Sequence, residues 1–279
     1  MNWLIENGLL LPADKPEISH TNRAFLYGDG CFESIRVGNG KVLNAGIHFL
    51  RLERTLRALE IQLPEGYDQT AFENELSLLV EKNEIKSGGR IRATFSRAGG
   101  GHFTPERNEA HRVMAVVALQ DGLFALNKRR LSVDIYAKIK KEVDYLANFK
   151  TLNCQLYVMA AIHSKNQGLD DAILLNASGG IMESTNSNLF VVSNRVLYTP
   201  GLDQGCVAGV MRMKVINLAL SKGLKVYECN ISPQHLLSAD ELLLTNAISG
   251  IRWVSAYRTK RYLNNMAGQL IKWLNEEIY

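Results

Sequence analysis

The sequence predicts an α+β chain folded as two lobes, on three observations. Apolar residues recur at helical spacing in some stretches and alternate in strand fashion in others. The two kinds of stretch follow one another without a regular β-α-β rhythm, which argues against a doubly wound sheet. Near residues 120–130 the apolar pattern breaks at Asp121-Gly122 and turns basic at Lys128 to Arg130, placing a boundary between a lobe of residues 1–122 and one of residues 123–279. With 279 residues, 46% of them hydrophobic, each lobe has material for a core of its own.

The apolar runs 3–11 and 31–37 read as strands. The second enters from Tyr27-Gly28-Asp29-Gly30 and leaves at Gly38-Asn39-Gly40, a hairpin signal. Phe49, Leu50, Leu52, Leu56 and Leu59 fall mostly at helical spacing within 48–60, and Phe72, Leu76, Leu79 and Val80 repeat the pattern within 71–84, so two helices follow. Residues 90–97 alternate as a strand, Gly99-Gly100-Gly101 is a loop, and 113–119 is a buried-strand run that completes the first lobe. The second lobe opens on a strand at 131–137 and a helix at 153–166 stopped by Gly168. Ala177-Ser178-Gly179 joins strands 172–176 and 180–183, and Ser193-Asn194-Arg195 joins 188–192 to 196–198, giving two successive hairpins. A helix at 207–222 stops at Gly223, strands follow at 224–228 and 241–245, and a helix at 266–277 closes the chain. No internal repeat or low-complexity tract interrupts this order, which sets a solenoid aside.

Composition excludes several function classes. The 32 basic residues are spread among 28 acidic ones, for a net charge of +4 with no basic stripe or tail, so no nucleic-acid partner is expected. Cys31, Cys154, Cys206 and Cys229 form no CxxC pair and no Cys/His cluster with metal-ligand spacing, so no metal is expected and the thiols are read as reduced. The beginning, MNWLIENGLLLP, lacks a basic region ahead of a long apolar stretch, and no run approaches about eighteen apolar residues. The expectation is a cytoplasmic protein without a membrane partner.

A few residues admit a chemical reading beside an ordinary one. Lys150, in Asn148-Phe149-Lys150-Thr151-Leu152-Asn153, sits at a strand-to-helix junction where a lysine is usually solvated; its chemical reading is a partly desolvated amine that condenses with an aldehyde and then shuttles protons. Glu183, between Ile181 and a run of small polar residues, is poorly explained as core, although an edge strand or a turn would accommodate it. A carboxylate there could pair with a protonated ring nitrogen and so favour the withdrawal of electrons from a departing C–H bond. Arg51 belongs to a helix face that could be merely solvated, or it could turn inward as a bidentate clamp on a phosphate. The helix expected from Val207, with Gly205 before it and Gly209-Val210-Met211-Arg212 in it, would offer backbone N–H groups to an anion. Other signatures fail: Gly28-Asp29-Gly30 and the triple glycine are neither a Walker loop nor a GxGxxG fingerprint, no two histidines have HxxxH spacing, and there is no GxSxG elbow.

Together the segments resemble the class IV, or fold-type IV, pyridoxal-phosphate (PLP) enzymes, which include branched-chain and D-amino acid aminotransferases and aminodeoxychorismate lyase. The resemblance runs through Arg23 to Glu33, His48-Phe49-Leu50-Arg51-Leu52, Lys150-Thr151-Leu152-Asn153, Met182-Glu183-Ser184 with Asn188-Leu189-Phe190, and Thr199-Pro200-Gly201-Leu202-Asp203-Gln204 with Gly209-Val210-Met211-Arg212. It implies a D-amino acid aminotransferase-like fold and a homodimer. It implies that pyridoxal 5'-phosphate is held by Lys150 as a Schiff base, by Glu183 at the pyridine nitrogen, and by Arg51, the Val210 and Met211 amides and Asn246 at the phosphate. Tyr27, Phe32 and Ser34 correspond to family positions near a small amino substrate. Lys-Thr-Leu-Asn and Thr-Pro-Gly-Leu-Asp-Gln look closer to the lyase, which forms 4-aminobenzoate and pyruvate from 4-amino-4-deoxychorismate. One departure stands out: where the lyase-like pattern has a carboxylate-gripping arginine after Ser96-Arg97, this chain has His102, which lacks the planar fork. Arg92 and Arg97 are the replacement candidates, and Arg92 aligns roughly with an arginine of branched-chain aminotransferases, which keeps transamination as the alternative. A homologue that binds PLP without turnover would be signalled by loss of Lys150 or Glu183, and both are present.

Overall fold

The computed structural model of the chain describes residues 2–14 and 19–278 and divides into two compact units. The first comprises Met1–Leu123 with Phe149–Asn153, the second Phe124–Asn148 with Cys154–Tyr279.

The first unit contains β1 (Trp3–Glu6), β2 (Leu9–Pro12), α1 (Arg23–Tyr27), β3 (Gly30–Gly38), β4 (Lys41–Val42), α2 (Ala45–Ala58), α3 (Gln69–Lys82), β5 (Gly88–Arg97) and β6 (Ala110–Leu119). Its sheet has the order β2-β1-β6-β5-β3-β4 and is antiparallel throughout. The register pairs Ser34 with Arg92 and Ile35 with Ile91, so strand alternation sorts the two faces. Ile35, Val37, Ile91, Ala93, Phe95 and Met114 form one buried face. They pack with Phe49, Leu52 and Leu56 of α2 and Phe72, Leu76 and Leu79 of α3. Phe32, Ser34, Arg92 and Thr94 alternate onto the opposite face. Asp68 accepts a hydrogen bond from the Ala71 amide and so starts α3 two residues before its apolar pattern begins.

Segment 149–153 was expected in the second lobe and instead belongs to the first unit. The Lys150 carbonyl accepts from the Phe32 amide (3.1 Å), the Leu152 amide donates to Gly30 O (2.9 Å), and Thr151 bridges Cys31. The segment is thus an added edge on the N-terminal half of β3. Gly30, the residue that pairs with Leu152, also permits the close approach of β5, because a Cβ there would collide with the Phe95 carbonyl oxygen and the Ser96 Cα.

The second unit contains β7 (Ser132–Lys141), α4 (Gln155–Asn166), β8 (Asp171–Asn176), β9 (Ile181–Ser184), β10 (Asn188–Ser193), β11 (Val196–Pro200), a 3₁₀ turn (Leu202–Gln204), α5 (Val210–Ser221), β12 (Val226–Cys229), α6 (Pro233–Ser238), β13 (Glu241–Asn246), β14 (Gly250–Val254), β15 (Ala256–Tyr257), β16 (Lys260–Arg261) and α7 (Asn265–Ile278). Strands run β12-β11-β10-β9-β8-β7-β15-β16, with β13 pairing β10 and β14. The hairpins β8–β9 and β10–β11 are antiparallel, while α4 and α5 serve as the crossovers that the parallel pairs β7–β8 and β11–β12 require. Leu189, Val191, Leu242 and Leu244 fill one core with Ile173 and Ile181; Leu174, Met182 and Tyr136 pack with Ala160 of α4 in another. Both units mix helices with largely antiparallel sheet, which is the α+β class.

The short elements α1, α6, β14, β15 and β16 lack the length for a periodic signal. The helix expected from Val207 begins at Val210, because Gly209 is extended (φ −70°, ψ 133°) and residues 205–209 form a loop. Among the described residues no helix is long and apolar enough to cross a membrane, and no group of three or more His, Cys, Asp or Glu could hold a metal ion.

Two carboxylates are buried for visible reasons. Glu241 (4% exposed) accepts from the Met266 and Ala267 amides at 2.7 and 3.1 Å, capping α7 from outside the helix. Glu33 (1% exposed) alternates onto the helix-facing side of β3, where Oε1 accepts from Arg51 Nε (2.7 Å) and Oε2 from Arg51 Nη2 and His48 Nδ1 (2.7 Å). Burial alone would raise the Glu33 carboxyl, but Arg51 and His48 overcome that and hold it at about 2. Burial pushes His48 below its ordinary 6.5 against the opposing pull of Glu33, so the folded protein keeps a neutral imidazole that donates from Nδ1.

Both shifts act in the same direction. Below about pH 6.5 an unfolded His48 takes up a proton that the folded one refuses, and below about 4.5 an unfolded Glu33 does likewise, so stability falls as pH falls. Thermal midpoints should therefore drop from pH 7 to pH 4, with a shallower slope in Glu33→Gln/His48→Gln; equal slopes would contradict the assignment. Glu241→Ala should cost about 2 kcal/mol in urea unfolding with an unchanged m-value, because two amides lose their acceptor. A loss below about 0.5 kcal/mol would show that the cap is dispensable.

Candidate active site

In the first unit, the ladder between β3 and segment 150–152 puts Lys150 beside Phe32 on the sheet face away from α2 and α3. Lys150 Nζ lies 4.2 Å from the Phe32 ring centroid, and the Arg92 guanidinium carbon stands 3.8 Å from the same centroid. Ser34 is the next residue on this face and the register partner of Arg92. Arg92 is exposed, so its charge is accessible to a ligand. Three residues expected near substrate, Phe32, Ser34 and Arg92, are thereby gathered around Lys150 by strand alternation and register.

Arg97 has a different job, and its expected substrate role is corrected here. Its Nε donates to Asp29 Oδ2 (2.9 Å), Nη1 to Glu60 O and Asn108 Oδ1, and Nη2 to Leu59 O (2.6 Å), so the guanidinium clamps three chain segments together. Arg23, which sequence reasoning did not single out, is 3% exposed and holds Asp29 through Nε while Nη1 donates to the carbonyls of Gly100, Gly101 and His102. This fixes the backbone of the glycine loop and leaves the His102 side chain exposed. Tyr27, at the end of α1, lies 5.6 Å from Phe103 and under the Arg23 guanidinium. Arg51 is tied by its Nε–Nη2 edge to Glu33, and its side chain is 13% exposed.

In the second unit, Glu183 lies on β9 and is 3% exposed. Oε1 accepts from the Tyr157 hydroxyl (2.8 Å) and, at 3.5 Å, from Lys141 Nζ; Oε2 accepts from the Val207 amide (3.0 Å) and, at 3.5 Å, from Asn188 Nδ2. Lys141 Nζ also donates to the carbonyls of Ala147 (2.7 Å) and Gly205 (2.9 Å), so the ammonium ties Glu183 to two loops. Burial and then Glu183 raise the Tyr157 phenol, keeping it protonated and a donor. Neither Lys141 nor Tyr157 carries a distinguishing sequence signal: one is the last of several lysines on β7, the other an aromatic in the first turn of a helix.

Beyond Glu183, Asn188 Nδ2 donates to Val207 O (2.8 Å), and a Cβ on residue 209 would fall inside the Asn188 side chain. The glycine therefore lets the backbone pass close before α5, whose opening amides, Val210 and Met211, have no side-chain cap. Thr245 Oγ1, on β13, is buried without a hydrogen-bond partner among the described residues, and β13 packs against α5. Asn246 serves the turn itself: Oδ1 accepts from the Ile248 and Ser249 amides (3.0 and 2.8 Å), while Nδ2 donates to Ser187 Oγ (3.0 Å). Its side chain thus shapes the turn that follows β13. Asp171, buried to 3%, accepts from Ser184 and Thr185 hydroxyls and from Arg252 Nη2, which also donates to Asn186 and Ser187, and so joins the loop after Glu183 to β14.

Residues 30–257 match the family model of amino-transferase class IV. The chain is 29% identical to a putative branched-chain-amino-acid aminotransferase of Methanocaldococcus jannaschii, covering 97% of this chain and 93% of that protein. It is 30% identical to an aminodeoxychorismate lyase of Vibrio harveyi, over 84% of this chain and 85% of that one. The crystal structure of a branched-chain aminotransferase from Thermoproteus uzoniensis superposes with a TM-score of 0.88 at 22% identity, covering 99% of this chain and 94% of that one, which shows a shared fold. The chain belongs to the class IV aminotransferase family, with the fold-type IV architecture, and is a pyridoxal 5'-phosphate-dependent enzyme of that family, a lyase or an aminotransferase.

Proposed function

We propose that this enzyme is a 4-amino-4-deoxychorismate lyase that forms 4-aminobenzoate and pyruvate. The observation that carries the reading is the row Lys150, Phe32, Arg92 on one open sheet face: an amine able to move a proton, an apolar ring, and an exposed guanidinium able to hold a carboxylate. The Lys-Thr-Leu-Asn and Thr-Pro-Gly-Leu-Asp-Gln segments support the lyase over its relatives. Branched-chain or D-amino acid transamination is the second reading, favoured by the relative from Methanocaldococcus jannaschii that matches nearly the full length.

The residues fit the cofactor. Thr245 Oγ1 is a buried polar atom awaiting a partner, Gly209 leaves the space that a Cβ would fill, and the first amides of α5 face no side-chain cap. Pyridoxal phosphate supplies a carbonyl that condenses with amines and a ring that withdraws electrons when a neighbouring C–H proton leaves. On this proposal Lys150 holds the carbonyl carbon and afterwards carries the proton from substrate carbon at Nζ. Glu183, kept in place by Tyr157, Lys141 and the Val207 amide, accepts a hydrogen bond from the ring nitrogen. Arg51 is the proposed phosphate ligand of the first unit, and the Val210 and Met211 amides with Asn246 are those of the second. Arg92 orients the substrate carboxylate and Phe32 excludes water from the amine, while Tyr27, Ser34 and His102 border the substrate. The proposed assembly is a homodimer and the proposed compartment the cytoplasm.

The protein supplied with PLP should show a visible cofactor band that Lys150→Ala abolishes, and should release pyruvate from 4-amino-4-deoxychorismate. An amino acid that converts the cofactor to its pyridoxamine form without pyruvate release would make the enzyme an aminotransferase; no band in the unsubstituted protein would remove the cofactor assignment. Arg92→Ala should raise KM for the carboxylate substrate by about tenfold or more with a smaller change in kcat, as expected for a lost charge-assisted bond. An unchanged KM would exclude Arg92 from substrate binding.

A further inference from the structure

Resting on the reading of Arg51 as a phosphate ligand, we infer that Glu33 and His48 are positioning residues that aim the Arg51 guanidinium at the cofactor phosphate. The triad is costly for the fold. Glu33 occupies a strand position whose neighbours on the same face, Cys31 and Ile35, are buried apolar residues, and α2 brings Phe49 and Leu52 into the same core. A hydrophobic residue there would avoid the desolvation of a carboxylate, so stability alone does not account for the charge.

The geometry supplies another account. Glu33 grips Arg51 through Nε and Nη2 in a two-point fork, which fixes both the direction and the plane of the guanidinium and turns its other edge away from the carboxylate. The exposures run in the corresponding order: the side chains of Glu33 and His48 are 1% exposed, and that of Arg51 is 13%. The arginine is the member of the triad that reaches out of the core. His48 stands three residues before Arg51 on the same face of α2 and donates from Nδ1 to Glu33 Oε2, closing the carboxylate against rotation. With His48 neutral, Glu33 and Arg51 cancel in charge, so discrimination for a phosphate depends on directed N–H groups at a set position more than on a net positive field.

The quantity to measure is the ratio of the dissociation constant for pyridoxal to that for pyridoxal 5'-phosphate, titrated into the full-length protein stripped of cofactor, with thermal melting as the folding check. Arg51→Lys should lower the ratio by at least about tenfold, since an ammonium cannot reproduce the fork. Glu33→Gln should lower it by about fivefold although it adds positive charge, and Glu33→Asp, a milder variant that keeps the charge and shortens the reach, should lower it as well. His48→Leu should lower it by about threefold, and His48→Gln, which restores an N–H donor, should recover most of that loss. If the Glu33 and His48 variants weaken both ligands equally, or if Glu33→Gln raises the ratio, the positioning role is overturned while Arg51 keeps its own. If Arg51→Lys leaves the ratio unchanged, or the unsubstituted protein does not prefer the phosphorylated form, the phosphate assignment falls and the positioning role falls with it.

Discussion

The hydrogen-bonded edge between residues 150–152 and the start of β3 is the constraint on which the rest of the site depends. The chain on both sides of this segment belongs to the second unit, yet the two ladder bonds to Phe32 and Gly30 and the Cys31–Thr151 bridge place it in the first. Once that pairing exists, strand alternation leaves little freedom for Lys150: its side chain must share a face with Phe32, and the β3–β5 register brings Arg92 to the same ring. A slip of one residue would send the lysine to the helix-facing side, among Ile35, Ile91 and Phe95. Gly30 guards the register by admitting the β5 backbone where any side chain would collide.

Within each unit, the buried carboxylates among the described residues sit where donors converge on them. Glu33 has a guanidinium and an imidazole, Glu183 a phenol, an ammonium and a backbone amide, Asp171 two hydroxyls and Arg252, and Glu241 the open end of a helix. Each arrangement compensates desolvation and at the same time restricts a backbone segment. Arg23 and Arg97 do the same from the cationic side. They converge on Asp29 and on main-chain carbonyls, so the loop bearing His102 is held through its backbone.

Membership in a family that contains both lyases and aminotransferases agrees with this division of labour. On the proposed assignment, proton removal beside an amine needs Lys150, Glu183 at the ring nitrogen and the phosphate ligands, whichever reaction follows. The fate of the resulting electron pair is decided by groups that touch the rest of the substrate, a role that the proposed function gives to Arg92, Ser34, Tyr27 and His102. The glycine loop is also where this chain departs from the lyase-like pattern, with His102 in place of an arginine and with Arg97 committed to structure.

Periodicity was enough for the long helices, most strands of both sheets and the two hairpins of the second lobe, because 3.6- and 2-residue repeats report burial directly; the run 3–11, expected as one strand, is instead the hairpin of β1 and β2. Motif order along the chain was enough for Lys150, Glu183 and Arg51 as candidates. The short elements α1, α6, β15 and β16 hold too few residues for a repeat to show, although the Asn22 cap of α1 and the Ser232–His235 capping box of α6 are local. By contrast, α5 begins at Val210 and not at Val207 because Gly209 is held extended beside Asn188, a contact that no local pattern encodes. Lys141 and Tyr157 became visible only when β7 and α4 brought them to Glu183, and Arg97 lost its expected role only when its donors met Leu59, Glu60 and Asn108. By itself the sequence determined which residue types are available and which face of each long element is apolar. Tertiary structure decided which donors meet which acceptors, because a side chain's hydrogen-bond partners are set by strand register and by chain segments far apart in sequence.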